Sequence, residues 1–258
     1  MKKYTLTLIL ALVSLGLYAQ TNRNKTIINA ALHGWEYEIK AGVNLGGTAP
    51  LPFPEEIRSI DGYNPTLSIT IEGNMTKWLD SKKKWGIITG LRLENKGMRT
   101  KATVKNYNME IIGYDGNRLK GNWTGGVRTK VQNSYITIPV LAAYKLNPRT
   151  TLKLGPYFSY LMDGDFSGHV YEGYLRETNP TEDKINFTNG AIATYDFSGD
   201  LRKFQWGVQA GVDWKAFKHL KVHADLNWGL NDIFNKDFKT VTFDMYAIYL
   251  NVGFGYAF

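Results

Sequence analysis

The chain has 258 residues, 43% hydrophobic and 14% aromatic, with 31 basic against 23 acidic side chains and a formal net charge of +8. Its length fits one domain, and the absence of cysteine excludes disulfides, thiolate metal sites, cysteine nucleophiles and a lipoprotein anchor. After the first twenty residues no run of 18 or more apolar residues occurs, which excludes a transmembrane helix in the mature chain. The basic residues are scattered rather than gathered on one stripe, which argues against nucleic acid and fits anionic lipid headgroups or lipopolysaccharide.

Residues 1–19 read as a secretory signal peptide: Lys2 and Lys3, an apolar run from Leu6 to Leu17, and Tyr18-Ala19 before the expected cut. Residues 20–34 read as a polar periplasmic lead-in, and 35–258 as the folded domain. The first strand is expected at Trp35–Gly46, where Trp35, Tyr37, Ile39, Ala41, Val43 and Leu45 alternate with polar or small residues. A Pro-rich loop follows, with Pro50, Pro52, Pro54 and Pro65. Further strands are expected at 66–76, 85–96, 133–146, 150–162, 204–216, 220–230 and 245–258, each with an apolar row at every second position. Pro139 is expected to break a ladder locally, because a closed barrel offers no edge to hide its missing N–H. The long segments 97–132 and 163–203 read as outer connections, the first with short strand-like pieces that extend a hairpin.

The connections run long, short, long, short, long, short, medium. That alternation, an even strand count and strands long enough to cross a bilayer predict the fold class: an all-β, eight-stranded antiparallel up-and-down transmembrane β-barrel, with short periplasmic turns, long extracellular loops and both chain ends in the periplasm. Closure is required, since an open edge would leave unpaired backbone groups in hydrocarbon. A soluble lipocalin-type barrel would put the greasy rows inside; aromatics at strand ends (Trp35, Trp85, Tyr144, Trp214, Trp228, Tyr256) favour the membrane version.

The last strand, MYAIYLNVGFGYAF, sets Ile248, Leu250, Val252, Phe254, Tyr256 and Phe258 on one face. This ending resembles the C-terminal signature of bacterial outer-membrane barrels. The resemblance implies that Phe254, Tyr256 and Phe258 form an assembly signal read by the barrel-assembly and periplasmic chaperone machinery. Four internal stretches, SYITIPVLAAYKL (134–146), LGPYFSYLMDG (154–164), FQWGVQAGVDWKAF (204–217) and LNWGLNDI (226–233), are similar to the outer membrane protein beta-barrel or "porin family" domain that includes PorT-like proteins. Trp228 and Asp232 depart from that pattern. The resemblance implies the fold and the outer membrane of a Gram-negative bacterium, without implying one activity.

Eight strands leave a lumen that side chains can just fill. Glu38, Lys40, Glu72, Arg92, Glu94, Lys153, Asp213, His223 and Asp225 are expected to point inward as a mixed-charge polar network, together with Gln205, Gln209, Lys215 and Lys221. A structural plug and a narrow conducting path both fit such a lumen. The residues Asp163, Asp165, Ser167 and His169 gather at the start of an outer segment and raise a rim hydrolase as a lesser reading. No metal-ligand spacing occurs, and no cofactor is expected. The outer loops carry Tyr107, Tyr114, Trp123, Tyr171, Tyr174, Phe187 and Tyr195 among polar residues and are the expected binding surface, with an envelope protein as a possible partner. The leading expectation is a non-enzymatic scaffold or interaction protein; a narrow passive channel is the alternative.

Overall fold

The computed structural model describes residues 34–113, 116–177 and 183–258. The expected signal segment and most of the lead-in lie outside the described residues, as does Tyr114. Among the described residues ten strands occur: β1 (Trp35–Pro50), β2 (Ile57–Pro65), β3 (Ile69–Trp78), β4 (Trp85–Ile112), β5 (Arg118–Lys145), β6 (Thr150–Arg176), β7 (Ile185–Asp196), β8 (Phe204–Lys215), β9 (Leu220–Gly229) and β10 (Met245–Ala257). Among the described residues there is no α-helix, only a 3-10 turn at Ser198–Asp200.

Eight of these strands close a ring in the order β1, β3, β4, β5, β6, β8, β9, β10 and back to β1. The closing ladder pairs β1 with β10 antiparallel from Glu38↔Ala257 to Pro50↔Met245. At its end the amide of Phe258 donates to the carbonyl of Tyr37 over 3.0 Å. All eight strands expected from sequence are present, and the expected gap at proline is real. The β4–β5 ladder runs to Thr89↔Val140 and resumes at Arg92↔Thr137 in the same register, skipping Pro139.

Three strands are far longer than a membrane needs. β4 and β5 have 28 residues each and β6 has 27, whereas about 9–11 tilted residues cross the hydrocarbon. Their polarity inverts partway. On β4, Ile87, Leu91 and Leu93 face out while Arg92, Glu94 and Lys96 are buried; a few residues on, Met98 and Val104 are buried while Arg99, Lys101 and Lys105 are exposed. The period of two continues, but the chemical meaning of each face swaps. β5 and β6 do the same: Ile138 and Val140 face out, whereas Val131 and Val127 face in; Phe158 and Tyr160 face out, whereas Phe166 and Val170 face in. On β6 the swap coincides with a register shift between Ser134↔Asp163 and Tyr135↔Leu161, which leaves Met162 unpaired.

The molecule is therefore built in two storeys. The lower one has an apolar outer belt and a polar lumen. The upper one has a polar outside and an apolar core made by Met98, Val104, Met109, Ile111, Trp123, Phe166, Val170, Leu175 and Tyr195, among others. Two further strands complete it. β2 pairs with the upper part of β4 from Ile57↔Val104 to Pro65↔Met98, and β7 pairs with β6 and touches the tip of β4 at Ile112↔Thr194.

Several expectations are corrected here. The segment after Gly46 is not one Pro-rich loop, since β1 continues to Pro50 and β2 follows. The segments 97–132 and 163–203 are mostly paired strand. Trp123, Phe187 and Tyr195, expected on a loop surface, are core residues, and Trp123 is 0% exposed. The connection after β9 also folds inward, burying Ile233, Phe234 and Val241.

Candidate functional site

The lumen of the lower storey is crossed by hydrogen-bonded charged side chains. Nearest the short turns, Lys221 Nζ donates to Glu38 Oε2 at 2.8 Å. Above it Lys40 and Lys153 share two carboxylates. Lys153 Nζ lies 2.6 Å from Asp213 Oδ1 and 2.7 Å from Asp225 Oδ1, and Lys40 Nζ lies 3.2 Å from Asp213 Oδ1 and 4.0 Å from Asp225 Oδ2. Higher still is Arg92, 0% exposed. Its Nε donates to Glu72, its Nη2 to Gln209 at 2.7 Å and its Nη1 to Asn227 at 3.1 Å, with Glu94 3.9 Å away. One planar guanidinium thus joins β3, β4, β8 and β9 across the ring, a task that suits its rigid fork of donors.

Uncharged groups complete the layer. Thr137 donates to Glu94 at 2.8 Å, and Asn251 Nδ2 donates to Asn44 at 2.8 Å and to Thr70 at 2.9 Å. His223 Nε2 lies 2.8 Å from Asn251 Oδ1 and donates to it. The nine expected lumen residues all lie in this network. Lys215 does not: it is exposed at the short-turn rim, as the last paired residue of β8 opposite Lys221.

Sequence reasoning missed Lys96, which caps the polar layer. Its Nζ is 3.1 Å from Glu94 Oε1 and sits over three tyrosine rings, 5.2 Å from Tyr135, 5.2 Å from Tyr157 and 5.9 Å from Tyr249. Aromatic faces stabilise a desolvated ammonium, so this cage is where the charged lumen gives way to the apolar core. The signal was present: Lys96 continues the inward row of Arg92 and Glu94. With Lys96 counted, the cations Lys40, Arg92, Lys96, Lys153 and Lys221 balance the carboxylates Glu38, Glu72, Glu94, Asp213 and Asp225. A balanced, fully paired set is what makes buried charge tolerable.

The outer face of the upper storey is basic. Arg99 stands directly opposite Lys130 and Lys101 opposite Arg128 across the β4–β5 ladder, and Arg128 stands opposite His169 on β6. Like charges in facing positions destabilise a sheet. Relief is partial: Lys130 pairs with Asp165, while Lys101 and Arg128 lie against the Tyr171 ring at 5.5 and 5.2 Å. Burial, and then the charge of Arg128, hold the His169 imidazole below its ordinary value. Arg99, Arg128, Lys130, His169 and Asp196 line a surface concavity of about 740 Å³ here.

The possible hydrolytic group lies on the same face. Ser167 Oγ donates to Asp165 Oδ1 at 2.6 Å, and the His169 ring lies 6.1 Å from that of Tyr171. Among the described residues no imidazole is hydrogen-bonded to Ser167, whose hydroxyl donates instead to the Asp165 carboxylate. Asp163 is paired in the ladder with Ser134, away from both. Phe254, Tyr256 and Phe258 all lie exposed on the outer row of the last strand, with the Tyr256 and Phe258 rings 5.2 Å apart.

A family model described as outer membrane protein beta-barrel domain matches residues 18–235. No curated protein matches the chain. Among solved structures the chain is similar to Ail, the attachment invasion locus protein of Yersinia pestis, at 12% identity and a TM-score of 0.36, over 87% of this chain and 97% of that one. It is also similar to the outer membrane protease OmpT from Escherichia coli, at 12% identity and a TM-score of 0.35, over 88% and 97%. A third is the outer membrane protein OprG from Pseudomonas aeruginosa, at 10% identity and a TM-score of 0.28, over 86% and 95%.

Proposed function

The chain belongs to the outer membrane protein beta-barrel domain family, and on that premise we propose that this outer-membrane protein is a sealed, non-enzymatic scaffold that holds a β-built binding surface above the bilayer. The observation that carries the reading is the lumen. Its charges are matched in sign and joined across the ring by Arg92, Lys153 and Lys40, and an apolar core stands directly above it. A conducting path would have to break both layers. The short turns then face the periplasm, with both chain ends there, and the tall storey stands outside.

Its partners in this reading are of three kinds. The exposed Phe254, Tyr256 and Phe258 row meets the assembly and chaperone machinery. The outer belt meets lipid. The basic ladder of Arg99, Lys101, Arg128 and Lys130, placed just above that belt, suits the phosphates of lipopolysaccharide, since a bridging anion relieves the facing like charges. An envelope protein is a further candidate for the loop surface.

Planar-bilayer recording of the refolded protein tests the sealed lumen. Baseline current without steady open steps is expected. Reproducible open steps in the wild type would make the protein a narrow channel instead.

A further inference from the structure

The upper storey is not completely filled. A cavity of about 470 Å³ lies inside it, within the range of sites for small organic ligands. Among the described residues no charged side chain lines it. Its wall is mostly apolar, with Met98, Val104, Phe166, Phe197 and Met245 among the lining residues, and three of the hydroxyls on it, those of Tyr63, Thr129 and Tyr195, are already hydrogen-bonded. Tyr63 Oη donates to the Gly46 carbonyl at 2.6 Å. Tyr195 Oη donates to the Arg128 carbonyl at 3.0 Å and lies 2.6 Å from Thr129 Oγ1. Water placed there would find few of the two to four polar partners it needs.

The cavity has a mouth on the side of the barrel. β1 is bonded to β3 and β10, whereas β2 is bonded to β4 and not to β1. The upper end of β1, Gly46–Pro50, therefore pairs on one edge only, with β10. Among the described residues the Tyr63 hydrogen bond bridges the seam between it and β2, and beside it the Thr48 amide donates to Met98 Sδ at 3.3 Å. Ile60 and Phe53 lie on the cavity's open side, 58% and 54% exposed. Ile248 also lines the cavity. It stands at the top of the outward row formed below it by Leu250, Val252, Phe254 and Tyr256, opposite Gly47. Apolar side chains thus lead from the outer belt over Ile248 to the seam and into the cavity, with the Tyr63 hydroxyl and Gly46 carbonyl as the polar pair at the crossing.

We propose that this cavity binds a single aliphatic chain, admitted sideways from the level of the outer leaflet through the seam between β1 and β2. The chain could be carried by a membrane phospholipid or by a free fatty acid, two sources of one chemistry. The site discriminates by shape and the absence of charge, so the polar end stays at the mouth. The proposal does not depend on whether the lumen below conducts.

The test uses the full protein in phosphatidylcholine vesicles. In one arm the vesicles carry phosphatidylcholine with a photoactivatable diazirine on one acyl chain; in the other they carry a diazirine fatty acid. After irradiation, labelled peptides are mapped by mass spectrometry. Adducts on the inward residues Met98, Val104 and Phe166 are expected in at least one arm, and the arm that gives them identifies the source. Ala102, which lines the cavity between β2 and β5, supplies the variants. Ala102→Trp fills the space and should abolish inward labelling while belt labelling persists; Ala102→Gly should retain it. Heat-modifiability on gels establishes that each variant is folded. If adducts fall only on outward belt residues in both arms, or if inward labelling survives Ala102→Trp in folded protein, the proposal is overturned.

Discussion

A Cβ atom added to Gly211 would fall 1.8 Å from Oδ1 of Asp225. The glycine on β8 is the space in which the β9 carboxylate lies while it receives Lys153. Gly211→Ala must push that carboxylate away from its ammonium, and overpacking of this kind costs about 1–3 kcal/mol. Gly73, which faces outward on β3 with nothing within 4 Å of an added Cβ, is the control. Gly73→Ala should stay within about 0.5 kcal/mol of the wild type. Urea unfolding in lipid vesicles, followed by tryptophan fluorescence, separates the two; equal midpoints would show that Asp225 has room to spare.

Arg92→Ala removes the donor shared by Glu72, Gln209 and Asn227. It leaves carboxylates buried without their partner, a change worth about 3–5 kcal/mol. The expected result is a lower urea midpoint and loss of the folded band on unheated gels. Unchanged heat-modifiability would mean that the ring holds together without this crosslink.

The eight membrane strands were legible in sequence because a lipid-facing row must be unbrokenly apolar and a lumen-facing row cannot be. Trp206, Val208, Ala210, Val212 and Trp214 against Gln205, Gln209 and Asp213 admit one reading. The upper storey was not legible as strand for a physical reason. Where β4 passes from Leu93 to Met98 the same alternation continues with its faces exchanged, so Arg99, Lys101 and Lys105 look like a loop's solvated charges. Lys96 sits at that exchange, so in the sequence it looks like the first of these solvated cations rather than the last of the lumen charges. The cavity was invisible altogether, since it depends on β2 choosing β4 over β1.

Protonation of His169 should add a charge to the basic ladder. Partial burial and then Arg128 hold this imidazole below its ordinary value, so it is neutral near neutral pH and gains a proton only under acidic conditions. Asp165 stays ionised across that window: burial alone would raise it, but hydrogen bonds from Lys130 and Ser167 outweigh that and hold it low. Binding of lipopolysaccharide should therefore strengthen as pH falls from about 7 to about 5, and His169→Gln should remove most of that rise. A fluorescently tagged lipopolysaccharide titrated into detergent-solubilised protein reads the difference. Equal pH profiles for wild type and variant would place the polyanion elsewhere.

If the outward Phe254, Tyr256 and Phe258 row is an assembly signal, Phe258 should matter for delivery more than for stability. The Phe258 side chain is 70% exposed, and the bond from its amide to Tyr37 belongs to the backbone. Phe258→Ala should therefore refold in vitro with a midpoint within about 0.5 kcal/mol of the wild type. In cells the same variant should accumulate as unassembled chain, scored by protease sensitivity and loss of the outer-membrane fraction. Normal assembly would show that the terminal row is only part of the belt.

The exchange of faces along β4, β5 and β6 also fixes a waterline. Sinking the barrel by one pair of residues, about 7 Å along a strand, would carry Arg99 and Lys130 towards hydrocarbon. Lifting it would leave Leu91 and Leu93 in water. Because three continuous strands carry the mark at the same height, the protein cannot ride up or down to suit its surroundings. In a bilayer thinner or thicker than its own, the lipid has to deform around it.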